Sequence, residues 1–426
     1  MLNASGRLLV AFALPLACIP ALAQSSGSQV QAGNFERSYT AGVRAFQADS
    51  FTDSIGYATH VSYNDANNYY QNLPAITALL QASGIRHIRD GWANDYNASS
   101  FEVAGYNSLI AAGMKLTLLM ANQPTEAGLN AFQTYVHGGV EAWEGFNECD
   151  GSSTVTCATA VSWLPAELAS AKDLGIPSLG LSNAGGNLPT QTGNIQALIT
   201  AQNLHAYRDN SQNPEEPSAS NLNNGYGYGY ASLSWWMTNS RLNAINLPFY
   251  VTETGYTASP TAPTGELTEA TQGKYLIRTL LWDFMFGIKR TYLYEFFDEG
   301  SSPDYGVIHN DLTPKAAYTY IKTVALLLAD KGPAFLPAKL VYTLTGGDAT
   351  LHQLLFQKRS GSFFLVLWLG QPAGAVVTQN LSLTLTSGSI TSVSTFSDLG
   401  VMTTTAASGK TATLPVTDHL TIVQVN

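Results

Sequence analysis

The chain has 426 residues, a formal net charge of −10 and charged side chains at only 12% of positions. A chain so acidic and charge-poor lacks the basic patches that phosphate backbones demand, which excludes nucleic acid as a partner. Its length exceeds one ordinary core and predicts one large domain with a smaller companion. Few charges beside abundant amide, hydroxyl and aromatic side chains suit a surface that meets neutral sugars.

Residues 1–23 read as an export signal. Arg7 supplies the positive start, Leu8 to Leu16 the apolar stretch, and Ala21-Leu22-Ala23 a small-x-small cleavage site. The stretch is too short for a membrane span, and no later segment holds about 18 uninterrupted apolar residues. A lipoprotein cut at Cys18 is the alternative, which Pro15 disfavours. The expected product is soluble and either secreted or periplasmic.

Residues 24–45, polar and rich in Ser, Gly and Gln, are expected as a linker or as a strand added to the C-terminal domain. From 46 to 335 short apolar runs alternate with longer helical ones. Ser54 to Tyr57 opens as a first strand, followed by a helix near Leu73 to Ala82. Ile85 to Arg89 is the second strand, Met114 to Met120 the third, and Val140 to Glu148 the fourth. A helix at Val161 to Leu174 follows, then strands at Ser178 to Ser182, Leu204 to Tyr207 and Leu247 to Glu253. Helix Thr268 to Gly287, strand Thr291 to Phe296 and helix Pro314 to Leu328 complete the series. Eight strands alternating with helices predict an α/β fold, a (β/α)₈ TIM barrel. An open doubly wound sheet would carry a Gly-rich phosphate turn after an early strand, and this chain has none. After Pro337 the runs become short and alternating, so 336–426 is expected as an all-β sandwich.

Without the signal, two cysteines remain, Cys149 and Cys157, in one Gly/Ser/Thr-rich loop. In an exported protein a disulfide is the default, and it would stiffen the loop directly after Glu148. A zinc site lacks the His or second Cys pair that would accompany it.

Two glutamates carry the chemistry. Glu148 closes the run from Val140, and Glu253 closes the run from Leu247. Two carboxyls facing one glycosidic bond are what most sugar hydrolysis needs, and barrel strand ends open onto one face. The pair on this barrel resembles the clan A retaining glycoside hydrolases, where an Asn-Glu pair ends the fourth strand and a Glu ends the seventh. Trp143-Glu144-Gly145-Phe146-Asn147-Glu148 and Val251-Thr252-Glu253-Thr254-Gly255 carry the resemblance.

That resemblance implies Glu148 as acid/base, Glu253 as nucleophile and no cofactor or metal. It places Asn147 near the sugar 2-hydroxyl, and His205 or Tyr207 against the nucleophile. Arg89 is expected to hold Glu253 ionised, with a structural pairing to Asp90 as the rival. Many clan members set a Trp platform on the eighth strand; here Phe296 stands as the candidate. Trp92, Trp235 and Trp236 are candidate stacking residues or core, and Asn122 a candidate sugar contact. Glu295, Asp298 and Glu299 are read as sugar or calcium contacts, or as a solvated loop. The expected activity is hydrolysis of β-linked poly- or oligosaccharides. A non-catalytic sugar-binding protein and a transglycosylase of surface polysaccharide are the alternatives.

Overall fold

Eight apolar segments form one parallel sheet: Ile55–Ala58, His87–Trp92, Lys115–Met120, Val140–Glu144, Ser178–Leu179, Gln202–His205, Phe249–Thr254 and Thr291–Leu293. The first five pair in sequence order, and the sixth to eighth continue from the other edge of the first. The ring closes at a parallel bridge between Leu179 and Ala201, where the Gly180 amide donates to the Ala201 carbonyl at 2.9 Å. The sheet is therefore a TIM barrel, as the alternation predicted. The computed structural model describes residues 36–62, 72–216, 222–223, 229–259, 266–298, 304–372 and 377–426. The export signal, most of the Gly/Tyr-rich stretch 221–230, and Glu299 lie outside the described residues. Among the described residues no helix is long and apolar enough to cross a membrane.

Local chemistry sets the helix ends. Thr156 caps the helix Cys157–Leu174 by accepting the Thr159 amide, and Gly175 ends it in the left-handed conformation. Thr268 caps Glu269–Met285 in the same way. The barrel interior needs one glycine in particular. A Cβ on Gly56 would lie 2.3 Å from the Tyr292 ring, which fills the lower barrel and shares a 2.6 Å hydrogen bond with Thr117.

Two strands end sooner than the sequence pattern suggested. The fourth stops at Glu144, and Gly145 beyond it lies too close to Gly180 and Leu181 to carry a side chain. Phe146, which prolongs the alternation in the sequence, turns its ring onto Trp163 of the following helix. The eighth stops at Leu293 rather than Phe296.

The segment ahead of the barrel consists of sandwich strands. Glu36–Ser38 pairs antiparallel with Tyr342–Thr345, Val43–Arg44 pairs with Lys339–Leu340, and Phe46–Gln47 pairs parallel to Leu351–Gln357. Four- and six-stranded sheets enclose a core that includes Leu344, Leu365, Leu383, Leu414 and Val423. The outer face of the larger sheet joins the barrel core through Phe46, Phe51, Phe284 and Phe356.

Glu167 sits wholly buried in the helix behind the fourth strand, its Oε1 accepting from the Ser178 hydroxyl at 3.0 Å. Burial pushes its carboxyl up to about 8, against which the Ser178 bond counts for less. The folded state therefore holds a proton that the unfolded chain releases near pH ~4.3. Its stabilising effect is full below that pH and is lost as pH rises through about 8. Glu167→Gln removes this loss, by up to ~1.4 kcal/mol per pH unit. Denaturant unfolding at pH 5 and pH 8 should show the variant gaining on the wild type; parallel pH dependence would refute the assignment.

Candidate active site

At the C-terminal end of the barrel, one buried guanidinium gathers three strands. Arg89, from the second strand, donates Nε to Glu144 Oε2 at 2.7 Å and Nη2 to Glu144 Oε1 at 2.8 Å. Its Nη1 donates to Glu253 Oε1, and Nη2 also reaches Asn147 Oδ1 at 2.8 Å. Asp90, one residue on, points the other way, as strand alternation requires. Its carboxylate accepts from the Thr59 hydroxyl and from the Val61 and Ser62 amides. The rival Arg89–Asp90 pairing is not the one formed.

Glu144 is completely buried, and Asn203 Nδ2 donates to its Oε1 at 3.0 Å. Burial alone would raise its pKa, but Arg89 and His205 outweigh burial and bring it down to about 2. Glu253 accepts the Tyr207 hydroxyl at 2.9 Å on the oxygen that Arg89 leaves free. Burial opposes its ionisation too, yet His205, Arg89 and Tyr207 together hold it below the usual carboxylate range. Glu148 differs. Burial pushes it up, His205 pulls it down, the Glu253 charge adds to the rise, and the balance lies above the usual range.

His205 binds the two catalytic candidates into one unit. Its Nδ1 lies 2.6 Å from Glu148 Oε1 and 3.6 Å from Glu253 Oε2. Burial would depress the imidazole, but Glu253 and Glu148 raise it to about 9. One oxygen of each glutamate and a His205 nitrogen all lie within 4.8 Å of one another. Those atoms are also the group among the described residues that could hold a metal ion. The Arg89 guanidinium on Glu253 opposes a further cation there.

The structure thus brings together Arg89, Asn147, Glu148, His205, Tyr207 and Glu253. The remaining candidates lie elsewhere. Phe296 is not a sugar platform: the eighth strand has already ended, and the ring packs in the core on Tyr57 and Tyr318. Trp92 is likewise core, because alternation turns it outward onto Phe132 of the helix Glu126–Tyr135. Trp236 is buried, with its indole N–H donating to the Tyr207 carbonyl, while Trp235 is half-buried beside it. Asn122 accepts the Asn94 amide at 2.9 Å and ties two loops together. Glu295 and Asp298 are not a solvated loop. They are buried, with Glu295 3.1 Å from His60 and Asp298 2.6 Å from Lys315.

Two features escaped the sequence reading. Glu144 stands inside the quoted motif, and only its distance from the terminal Asn-Glu pair hid its role. Tyr294 and Tyr305 form an aromatic row with Tyr207, with ring centroids 5.6 and 5.8 Å apart. The expected disulfide between Cys149 and Cys157 is formed, next to Glu148.

No family model matches the sequence, and no curated protein does. Solved structures do match. A family 39 glycoside hydrolase from the gut symbiont Bacteroides cellulosilyticus WH2 aligns with a TM-score of 0.59 at 14% identity, over 90% of this chain and 83% of its own. The thermostable GH51 alpha-L-arabinofuranosidase from Thermotoga petrophila RKU-1 gives 0.55 at 10% identity, over 90% and 98%. The alpha-L-arabinofuranosidase from Thermotoga maritima, solved with arabinose, gives 0.53 at 10%, over 83% and 89%. At such identities the likeness shows a shared fold, the one the clan A resemblance implied.

Two variants test this geometry without substrate. Glu144→Gln leaves Arg89 without its bidentate partner and should lower stability by ~3–5 kcal/mol in denaturant unfolding. Tyr207→Phe removes a hydrogen bond that favours the ionised form, so the Glu253 carboxyl should titrate higher by NMR. An unmoved Glu253 titration would overturn that contact.

Proposed function

We propose that the chain is an exported, retaining glycoside hydrolase acting on β-linked poly- or oligosaccharides. The carrying observation is the closeness of Glu148 and Glu253, with oxygens within 4.8 Å. Double displacement uses carboxyls about 5–5.5 Å apart, whereas direct displacement by water needs about 6.5–9.5 Å. The opposite displacement of the two pKa values supports the same division of labour. A protein that only hydrogen-bonds sugar hydroxyls has no use for it.

Glu253, ionised beside Arg89, attacks the anomeric carbon while protonated Glu148 donates to the leaving oxygen. The glycosyl ester removes the Glu253 charge, and with it one cause of the raised Glu148 pKa. Glu148 then takes a proton from water, which opens the ester. Asn147, held by Arg89, stands beside Glu148 to meet the 2-hydroxyl. Export is supported by the signal-like residues 1–23 and by a disulfide, which suits an oxidising compartment. The β-linkage rests on the clan A resemblance, and the arabinofuranosidase neighbours add α-L-arabinofuranosides to the candidates.

The test is a panel of β-glucans, xylans, mannans, galactans and aryl α-L-arabinofuranosides, with Glu148→Gln and Glu253→Gln alongside. Wild-type release should fall roughly 10²–10⁴-fold in Glu148→Gln and at least as far in Glu253→Gln. Activity should fall at low pH below the ordinary carboxylate range, as Glu253 protonates, and at high pH above it, as Glu148 ionises. Release that survives Glu253→Gln would overturn the nucleophile. Products longer than the substrate would make the enzyme a transglycosylase.

A further inference from the structure

The two carboxyls of the site are mounted differently. Glu253 lies inside its strand, in register with His205 of the neighbouring strand. Glu148 lies past the end of its strand, in a turn, with a φ of +47°. That left-handed conformation is rare for a residue with a side chain and persists only where its surroundings over-determine it.

Three tethers surround the turn. The Glu148 amide donates to the Ser182 hydroxyl at 3.0 Å. The Asp150 carboxylate accepts the Ala184 and Gly185 amides at 2.7 and 3.0 Å. Both tie the turn to the loop after the fifth strand. The third tether is covalent: Cys149, the next residue after Glu148, is bonded to Cys157, the first residue of the long helix Cys157–Leu174. Both half-cystines are buried with Leu164, Leu181, Leu188 and Ile199. The disulfide is thus the link from the turn to an element with its own packed core.

We propose that the Cys149–Cys157 disulfide positions the acid/base, holding the Glu148 turn in its left-handed conformation so that the carboxyl stays on His205 and faces Glu253. In calling Glu148 the acid/base this rests on the glycosidase reading; its geometric content does not. Cutting the bridge releases Glu148 alone. Arg89, Glu144 and Glu253 stay in place, because the sheet holds them.

The experiment is an NMR titration of labelled His and Glu side chains in the full-length protein, wild type against Cys149→Ser/Cys157→Ser. In the variant His205 should titrate lower and Glu148 closer to an ordinary carboxylate, while Glu253 is unchanged. A folded variant in which Glu148 and His205 titrate as in the wild type would overturn the proposal. So would an equal disturbance of Glu253, which marks general loosening. If the serine pair does not fold, wild type reduced with tris(2-carboxyethyl)phosphine takes its place; unfolding there would also overturn it, because the bridge would then be holding the fold. No substrate is needed, so an error in the glycosidase reading leaves this test intact. With any glycoside the protein cleaves, an alkyl leaving group should slow about a hundredfold in the variant and a dinitrophenyl one far less.

Discussion

The charge of Arg89 is the constraint on which the rest of the site depends. Two ionised carboxylates inside a barrel repel each other and lose their hydration, a cost that only a fixed opposite charge offsets. Arg89 supplies it with a fork that holds Glu144 through two bonds and Glu253 through a third. The protonated His205 supplies the second positive charge. Two cations then balance Glu144 and Glu253, leaving Glu148 as the group for which a proton costs least. Glu148 and Glu253 thus differ by environment, not by residue type.

The mounting of those groups follows the same economy. Everything that must stay ionised is carried by strands, whose ladders leave little freedom. Glu148, whose carboxyl is pushed up instead, is carried by a turn beyond the sheet. That turn is strapped by Ser182, Asp150 and a disulfide instead of by backbone pairing.

The sandwich contributes at a distance. Glu215, in the segment after the sixth strand, is buried between Arg278 of a barrel helix and the Trp368 indole of the sandwich. Arg278 also donates to the Gln371 carbonyl at 3.2 Å. One ion pair thereby locks together barrel, sandwich and a segment that begins just after Tyr207. Removing either partner would leave a buried charge uncompensated. This interface makes the sandwich a structural partner of the active face.

Much of this could be read directly from residue order. The alternation of short apolar runs with helical ones sets the barrel, because each period buries one face. The Asn-Glu pair just past the fourth strand and the Glu of the seventh mark the site, because barrel strands open onto one rim. Burial of Phe296 and Trp92 was not legible, since an aromatic side chain reads alike as platform and as core. Nor was the register. The fourth strand carries a bulge at Glu141 and the seventh at Thr252, where one extra residue intervenes against its neighbour. These bulges turn both Glu141 and Glu144 inward, toward His87 and Arg89, and place Thr252 and Glu253 together on the buried network. Sequence alone determines which residues are available and how often they face the core. Only the closed barrel decided which carboxylate meets which cation, because that depends on register between strands far apart in the chain.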